Sequence, residues 1–167
     1  MLAPVFRDRC CELRLLLIRR GARGIHGGQL GLPGGKREPD DHSLLETALR
    51  EAEEEVGLGR ADVTVLAPLR PIDGLTSGLR VHGYLARITP PARWRLADGE
   101  IVGVLTPTVR ALADPCARHE REVSFATWPA TRRVECVSVA RDQLLWGLTL
   151  RLLDTVMHPL LDGAWAV

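Results

Sequence analysis

This sequence has almost no net charge and no long apolar run, and each shortage excludes a class of protein. Its 22 basic and 21 acidic side chains give a formal charge of +1, which excludes an acidic disordered tail and a histone-like polycation. The longest aliphatic run covers residues 15–18, far below the roughly 20 residues of a membrane helix, so we expect no membrane partner. Charges at Arg7 and Asp8 precede any apolar stretch of signal-peptide length, so we expect no secretory signal.

Lysine is nearly absent, because Lys36 is the single lysine among the 22 basic residues. A GC-rich coding sequence is the default explanation of the arginine excess. Arginine also suits phosphate, since its planar guanidinium binds two oxygens at once. No DNA-binding motif accompanies these arginines, so we expect no nucleic-acid partner.

The cysteines are few and scattered, at Cys10, Cys11, Cys116 and Cys136. No CxxC pair is present to begin a zinc site or a redox motif. We interpret the four thiols as reduced packing residues and expect a cytoplasmic protein.

The 167 residues, 46% of them hydrophobic, fit a single domain over residues 1–167 with a substantial core. Periodicity and turn residues predict strands at 11–19, 63–69, 79–88, 100–105 and 134–139. The same sequence signals predict helices at 44–56, 108–113 and 141–157. Because strands and helices mix without regular βαβ alternation, the pattern predicts an α+β sandwich.

The helix at 44–56 has the clearest boundaries. Ser43 and Glu46 have the spacing of a capping box, and Gly57 suits the left-handed position that ends a helix. Its apolar residues fall within an arc of about 100°, which predicts a buried face made of Leu45, Ala48, Leu49, Ala52 and Val56.

Three glutamates of this helix, Glu51, Glu54 and Glu55, share another arc of about 100° beside the buried face, whereas Glu53 projects to the far side. Like charges at this spacing repel, and a neighbouring arginine or a bound cation offsets that repulsion. Arg50 lies four residues from Glu54 and, in the other direction, four from Glu46. Carboxylate clusters also suit Mg²⁺, which shares such ligands with phosphates.

A solvated acidic face is the common explanation of such a run, and the preceding loop argues against it. Gly34 and Gly35 lie just upstream of the capped helix, and glycine lets a backbone approach a ligand closely. A glycine turn, a capped helix and three carboxylates on one arc are together far more specific than any one of them.

Residues 35–58, GKREPDDHSLLETALREAEEEVGL, resemble the Nudix box, the signature of hydrolases that split nucleoside diphosphates linked to another group. The REAEEEVGL half matches that signature at every fixed position. In the first half His42 stands where the family has a glutamate, and Asp41 lies one residue earlier, so the turn is one residue longer. The residues alone leave the role of Asp41 open.

Three further segments resemble the coenzyme A pyrophosphatase subgroup of that family, over roughly residues 2–156. HGGQLGLPGG at 26–35 is similar to the subgroup's HPGQxxFPGG stretch. TALREA at 47–52 matches the subgroup's own TALREA, and LWGLT at 145–149 resembles the subgroup's WGxT segment. Gly27 replaces the common proline, and Leu32 replaces the common phenylalanine. Trp146, within the last segment, is typical of a core or dimer-interface anchor, and a homodimer is compatible with the sequence.

The resemblance implies a Nudix fold, an α/β/α sandwich with a mixed sheet, that cleaves a pyrophosphate bond with Mg²⁺ or Mn²⁺. For coenzyme A the products are 3′,5′-ADP and 4′-phosphopantetheine. The implied metal ligands are Glu51, Glu54, Glu55 and the Gly34 carbonyl. Arg50 is expected to orient the carboxylates by ion pairing.

The implied general base is either a box glutamate, Glu51 or Glu54, or an acid on a later loop, for which Glu100 is the best candidate. Residues expected to bind the substrate are His26, Gln29, Arg19, Arg20, Arg23 and Arg37. Two alternatives stay open. One is a Nudix hydrolase of ADP-ribose, a nucleotide-sugar, NADH or an oxidised nucleotide, and the other is a catalytically silent nucleotide sensor.

Overall fold

A computed structural model describes residues 1–23, 26–74, 78, 80–124 and 130–167. The strands are β1 Leu2–Arg7, β2 Leu13–Leu15, β3 Leu17–Arg20, β4 Leu30–Gly31, β5 Val63–Pro68, β6 Ile72–Asp73, β7 Arg80–Val81, β8 Tyr84–Ile88, β9 Ile101–Leu105, β10 Arg118–Val123, β11 Arg132–Ala140 and β12 Gln143–Trp146. The α-helices are α1 Leu44–Val56, α2 Val109–Ala113, α3 Gly147–Asp154 and α4 Met157–Leu161.

The central strands form a mixed sheet. β1 and β8 run parallel in a sheet of order β2-β1-β8-β5, whose other neighbours are antiparallel. Two antiparallel sheets, of order β4-β3-β9 and β10-β11-β12, and the short β6-β7 pair complete the architecture. The β3–β9 pairing sets Arg20 opposite Ile101, next to Glu100.

Central strands bury both faces, because successive strand residues point to opposite sides. Leu16 and Ala86 join the core cluster that α1 closes, while the adjacent Leu15 and Leu85 join the cluster that α2, α3 and α4 close. A sheet with helices on both faces is an α/β/α sandwich, so the predicted fold class is confirmed.

Helix α1 has the predicted bounds. Ser43 Oγ accepts a hydrogen bond from the Glu46 N–H (3.1 Å), and Gly57 ends the helix at φ 71°. The Glu46 carboxylate reaches back to the N–H of His42 (2.8 Å). Ala48, Ala52 and Val56 are fully buried, and Leu49 packs against them, as the apolar arc predicts, whereas Leu45 is only partly buried.

The single helix predicted at 141–157 is right only over residues 147–154, because the chain leaves the helix after Asp154 and a separate helix, α4, begins at Met157. Arg141 and Asp142 instead form a two-residue turn that joins β11 to β12, with Ala140 opposite Gln143 and Asp142 at φ 59°. The chain becomes helical only at Gly147 (φ 66°). A short apolar run does not distinguish a buried strand from a buried helix, and here pairing with β11 decides the outcome.

Two strand predictions need smaller corrections. The strand predicted at 11–19 divides at Leu16 into β2, which pairs with β1, and β3, which pairs with β4 and β9. The strand predicted at 79–88 divides into β7 and β8, and Leu79 lies outside the described residues. β1, β4, β6 and β10 have no predicted counterpart.

The cysteine interpretation is right for one residue. Cys136 is buried, whereas Cys10, Cys11 and Cys116 are exposed, so these three are not packing residues. All four are free thiols.

In the part of the chain that the structure describes, none of the helices has the length and apolar composition required to span a lipid bilayer.

Candidate functional site

Glu55 is the most deeply buried acid of the α1 arc, with 2% of its side chain exposed. Its Oε2 accepts a hydrogen bond from the Gly34 N–H (2.9 Å), and its Oε1 lies 3.3 Å from Arg20 Nη2. Burial raises the pKa of Glu55 to about 7, and the charges of Glu51 and Glu100 add to that rise. The Gly34 N–H and Arg20 oppose it.

The glycine turn lies directly against these carboxylates. Gly34 is buried at φ 148°, and a Cβ there would lie 2.6 Å from Met1 Cα, so a larger residue does not fit. A Cβ on Gly35 would overlap the Glu51 carboxylate. The two glycines therefore allow the backbone to approach the acidic helix, whereas the sequence argument concerned a close approach to a ligand.

Arg20, at the end of β3, joins three elements of the site. One nitrogen, Nη2, donates to the Gly34 carbonyl (3.1 Å) and faces Glu55, and the other, Nη1, lies 3.6 Å from Glu100 Oε1. The prediction made Arg20 a phosphate-binding residue, but here it contacts carboxylates.

Backbone hydrogen bonds fix the position of Glu100. The Gly21 N–H donates to the Glu100 carbonyl (2.7 Å), and the Ala97 N–H donates to the Glu55 carbonyl (3.0 Å), which ties the 97–100 loop to α1. The Glu100 side chain stays mostly exposed, at 58%. It therefore lies at the solvent edge of the same acidic cluster.

Asp41 has a clear structural role that the sequence did not assign. It is 5% exposed, and its two oxygens accept hydrogen bonds from Arg50 Nε and Nη2 (both 3.0 Å). The Thr47 hydroxyl and the Glu38 N–H also donate to it (both 2.9 Å). The Arg50 guanidinium and these donors hold the pKa of Asp41 well below its usual range. Five residues separate Asp41 from Gly35 in the sequence, and this spacing was the signal from which the role of Asp41 could have been inferred.

Arg50 ties two acids of α1, the exposed Glu54 and the partly buried Glu51, to this anchor. It pairs with Glu54 (2.9 Å), as predicted, and also with Glu51 (3.2 Å). The predicted partner Glu46 turns the other way, towards Arg60 at 4.0 Å. Arg50 thus spans the turn and the helix rather than running along the helix alone.

The donor set of this cluster suits a hard cation. Burial is the largest cause of the raised pKa of Glu51, and the charge of Glu100 adds to the rise in the pKa of both Glu51 and Glu55. Carboxylate and carbonyl oxygens are the ligands that Mg²⁺ and Mn²⁺ prefer. Among the described residues no three His, Cys, Asp or Glu side chains are already grouped as a metal shell, since Glu54 faces Arg50 and Glu55 faces Arg20.

The remaining predicted substrate residues are dispersed. His26 Nδ1 lies 3.3 Å from Gln29 Oε1 in the loop before β4, and Arg20 is bound to this loop through the Gln29 carbonyl (3.0 Å). Arg37 is occupied by the Asp41 carbonyl, which accepts from Nε and Nη2 (3.0 and 2.9 Å).

The other two arginines lie apart from this network. Arg23 is exposed in the loop after β3. Arg19 lies beside Gly103 of β9.

A family model described as the NUDIX domain matches residues 2–128 of this α/β/α sandwich, which makes the protein a hydrolase of nucleoside diphosphate derivatives. The chain belongs to the Nudix hydrolase family. Its members generally use divalent metal ions.

Curated relatives carry the same assignment. The Nudix hydrolase NudL of Yersinia pestis (strain Pestoides F) is 34% identical over 139 residues, which are 83% of this chain and 68% of the relative. NudL of Yersinia pseudotuberculosis serotype O:1b matches with the same values.

Solved structures support the fold. A MutT/nudix family protein from Enterococcus faecalis has a TM-score of 0.61 at 18% identity, over 96% of this chain and 61% of that one. A C. elegans Ap4A hydrolase has a TM-score of 0.55 at 16% identity, over 65% and 78%. At these identities the likeness shows the fold alone.

Proposed function

We propose that this Nudix hydrolase cleaves the pyrophosphate bond of coenzyme A or an acyl derivative. The products would be 3′,5′-ADP and 4′-phosphopantetheine or its acyl form. The proposal is supported by the position of two sequence segments in the fold. Two of the three segments that resemble the coenzyme A subgroup, 26–35 and 145–149, are more than a hundred residues apart, yet β4 lies against β12.

Contacts between these two segments are close. A Cβ on Gly31 would lie 4.0 Å from the hydroxyl of Thr149, which is itself buried. Leu32, at the subgroup's phenylalanine position, is fully buried in the same core cluster as Leu145. Segments that meet in this way support a shared role in one binding region.

The proposed metal ligands are Glu51, Glu54, Glu55 and the Gly34 carbonyl, for Mg²⁺ or Mn²⁺. When bound, such an ion neutralises diphosphate charge and lowers the pKa of a bound water. Arg50 orients the carboxylates through its pairs with Asp41, Glu51 and Glu54 and does not contact the substrate.

The proposed general base is Glu100, which is exposed at the rim of the cluster and can accept a proton from water. The box acids Glu51 and Glu54 remain alternatives for this role. In this proposal His26 and Gln29 contact the substrate from the loop tied to Arg20, and Arg23 and Arg19 face its phosphates. Arg37 supports the turn through the Asp41 carbonyl instead.

The test is a panel of coenzyme A, acetyl-coenzyme A, ADP-ribose, NADH and nucleoside triphosphates, each incubated with Mg²⁺ and with Mn²⁺. We expect turnover of coenzyme A to exceed that of the other compounds, and 3′,5′-ADP to appear as a product by chromatography. Turnover confined to another compound would refute the coenzyme A assignment. No turnover of any compound would favour the silent sensor.

A matched pair of variants tests the metal ligands in the same assay. Glu54→Gln removes a proposed ligand, whereas Glu53→Gln changes an exposed glutamate on the far side of the same helix. We expect the first to reduce turnover and the second to leave it unchanged. Equal activities in the two variants would contradict the ligand assignment.

A further inference from the structure

Arg20 contacts the same oxygens that are proposed to hold the metal ion. Its Nη2 is within hydrogen-bonding distance of the Gly34 carbonyl (3.1 Å) and lies 3.3 Å from Glu55, and its Nη1 is 3.6 Å from Glu100. Three oxygens from three separate elements thus converge on one guanidinium. Their convergence is produced by the fold, since the glycine turn, α1 and the start of β9 all meet at Arg20.

The backbone of Arg20 is fixed, so only its side chain is free to move. Its N–H donates to the Gln29 carbonyl (3.0 Å), its carbonyl accepts from the Gly28 N–H (3.2 Å), and it pairs with Ile101 of β9. A quarter of the side chain is exposed, which leaves a route towards solvent for the guanidinium.

Arg20 and a divalent cation would compete for the same oxygens, those of Glu55, Gly34 and Glu100. Without a cation, Arg20 relieves the cost of burying the Glu55 charge among like charges. A divalent ion that binds the same carboxylate and carbonyl must replace those contacts.

We infer that Arg20 is an internal counter-ion of the metal site, which holds the Glu55, Gly34 and Glu100 oxygens in place and yields them when Mg²⁺ or Mn²⁺ binds. Arg20 is a positioning residue in this scheme. The inference rests on the metal ligands of the proposed function and not on the substrate.

The test is a Mn²⁺ titration of the substrate-free protein by isothermal titration calorimetry. Arg20→Gln removes the competing charge, so we expect Mn²⁺ to bind about fivefold to tenfold more tightly than to the wild type. Arg60→Gln is the matched control, since it removes one charge from the exposed far side of α1, and it should leave the affinity unchanged. A structural role alone would not raise affinity.

Thermal unfolding supplies a second readout. We expect Arg20→Gln to lower the midpoint without metal and to increase the rise that saturating Mg²⁺ produces. Arg20→Lys keeps the charge without the planar fork, so its affinity should lie between those of the wild type and Arg20→Gln. If Arg20→Gln does not fold, Arg20→Lys is compared with the wild type instead, and a smaller gain in Mn²⁺ affinity is expected.

An affinity in Arg20→Gln equal to or weaker than that of the wild type would overturn this inference. An absence of Mn²⁺ binding by the wild type would overturn the metal-ligand assignment as well. Turnover of a substrate other than coenzyme A would refute the substrate proposal without affecting the titration.

Discussion

Two regions of this protein use arginine–carboxylate pairs in opposite ways. In the β10–β11 hairpin, Arg133 lies 3.6 Å from Glu120 and 3.9 Å from Glu122, and all three side chains are about two-thirds exposed. In the box, residues 35–58, Arg50 is 19% exposed and its partner Asp41 is almost fully buried.

The difference shows that burial and backbone anchoring, rather than the presence of ion pairs, set the geometry of a site. Exposed pairs contribute about 0–1 kcal/mol and are screened by salt. In the box the same chemistry is fixed by backbone groups, because Asp41 also accepts from the Glu38 N–H and Arg50 also donates to the Lys36 carbonyl. The hairpin pairs align two strands, whereas the box pairs place the candidate catalytic groups.

The largest expected effect is on catalysis and comes from Glu55→Gln. The amide oxygen still accepts from the Gly34 N–H, but the negative charge that a cation requires is lost. We expect kcat/KM to fall by about a hundredfold or more, with the circular dichroism spectrum retained. A fall of less than threefold would remove Glu55 from the ligand set.

Asp41→Asn should break the anchor of the box. The guanidinium of Arg50 loses its bidentate partner, so Glu51 and Glu54 are less firmly oriented. We expect kcat/KM to fall by roughly tenfold and the thermal midpoint to fall clearly.

Arg133→Gln, in the hairpin, is the comparison for this variant and should change the free energy of unfolding by about 0.5 kcal/mol or less. Similar losses of stability in Asp41→Asn and Arg133→Gln would contradict the distinction between the box and the β10–β11 hairpin.

Gly57→Ala tests the backbone that ends the acidic helix. Gly57 has φ 71°, and a Cβ there would lie 2.9 Å from Arg95 Cβ, so we expect a loss of about 1–2 kcal/mol in the free energy of unfolding. Gly59 has φ −66°, with its Cβ position 3.6 Å from Asp62. Gly59→Ala is therefore expected to be neutral or slightly stabilising in urea unfolding. Equal losses would contradict the assignment of strain to Gly57.

The smallest effect is a pH dependence. The folded pKa of Asp41 lies well below the unfolded value near 3.9, so its ionised form contributes stability above about pH 4. That contribution is lost as the pH falls from there towards the folded pKa. The stability gap between the wild type and Asp41→Asn should be constant from about pH 7 to 5 and should narrow below about pH 4, measured by urea unfolding. A gap that widens in acid would contradict the pairing.

Local signals made the acidic helix predictable residue for residue, since its cap, apolar arc and terminal glycine all lie within its own sequence. β10 had no such signal. Its sequence, RHEREV, is polar, and it is a strand because it pairs with β11 along its whole length. The sequence around Gln143–Trp146 fits either a strand or a helix, and only its partner β11 distinguishes them.

In the candidate site, too, features set by local sequence were predictable, whereas contacts between distant segments were not. Helical periodicity brings Glu51 and Glu55 together, and the structure agrees. The arginine-rich segment predicts that Arg20 binds phosphate, yet the β3–β9 register places it beside the carboxylates. The sequence assigns no role to Asp41, because the family spacing is shifted by one residue and its buried contacts with Arg50 and Thr47 depend on how the turn folds back onto the helix.

A single residue of the glycine turn, Gly34, contacts both signs of charge in the site. The N–H of Gly34 points at the Glu55 carboxylate, while Arg20 donates to the Gly34 carbonyl. Its amide resonance will therefore shift when either neighbour changes its partner. In a solution NMR spectrum that one backbone proton is a built-in reporter, able to follow ion exchange at the carboxylates without any label on the substrate.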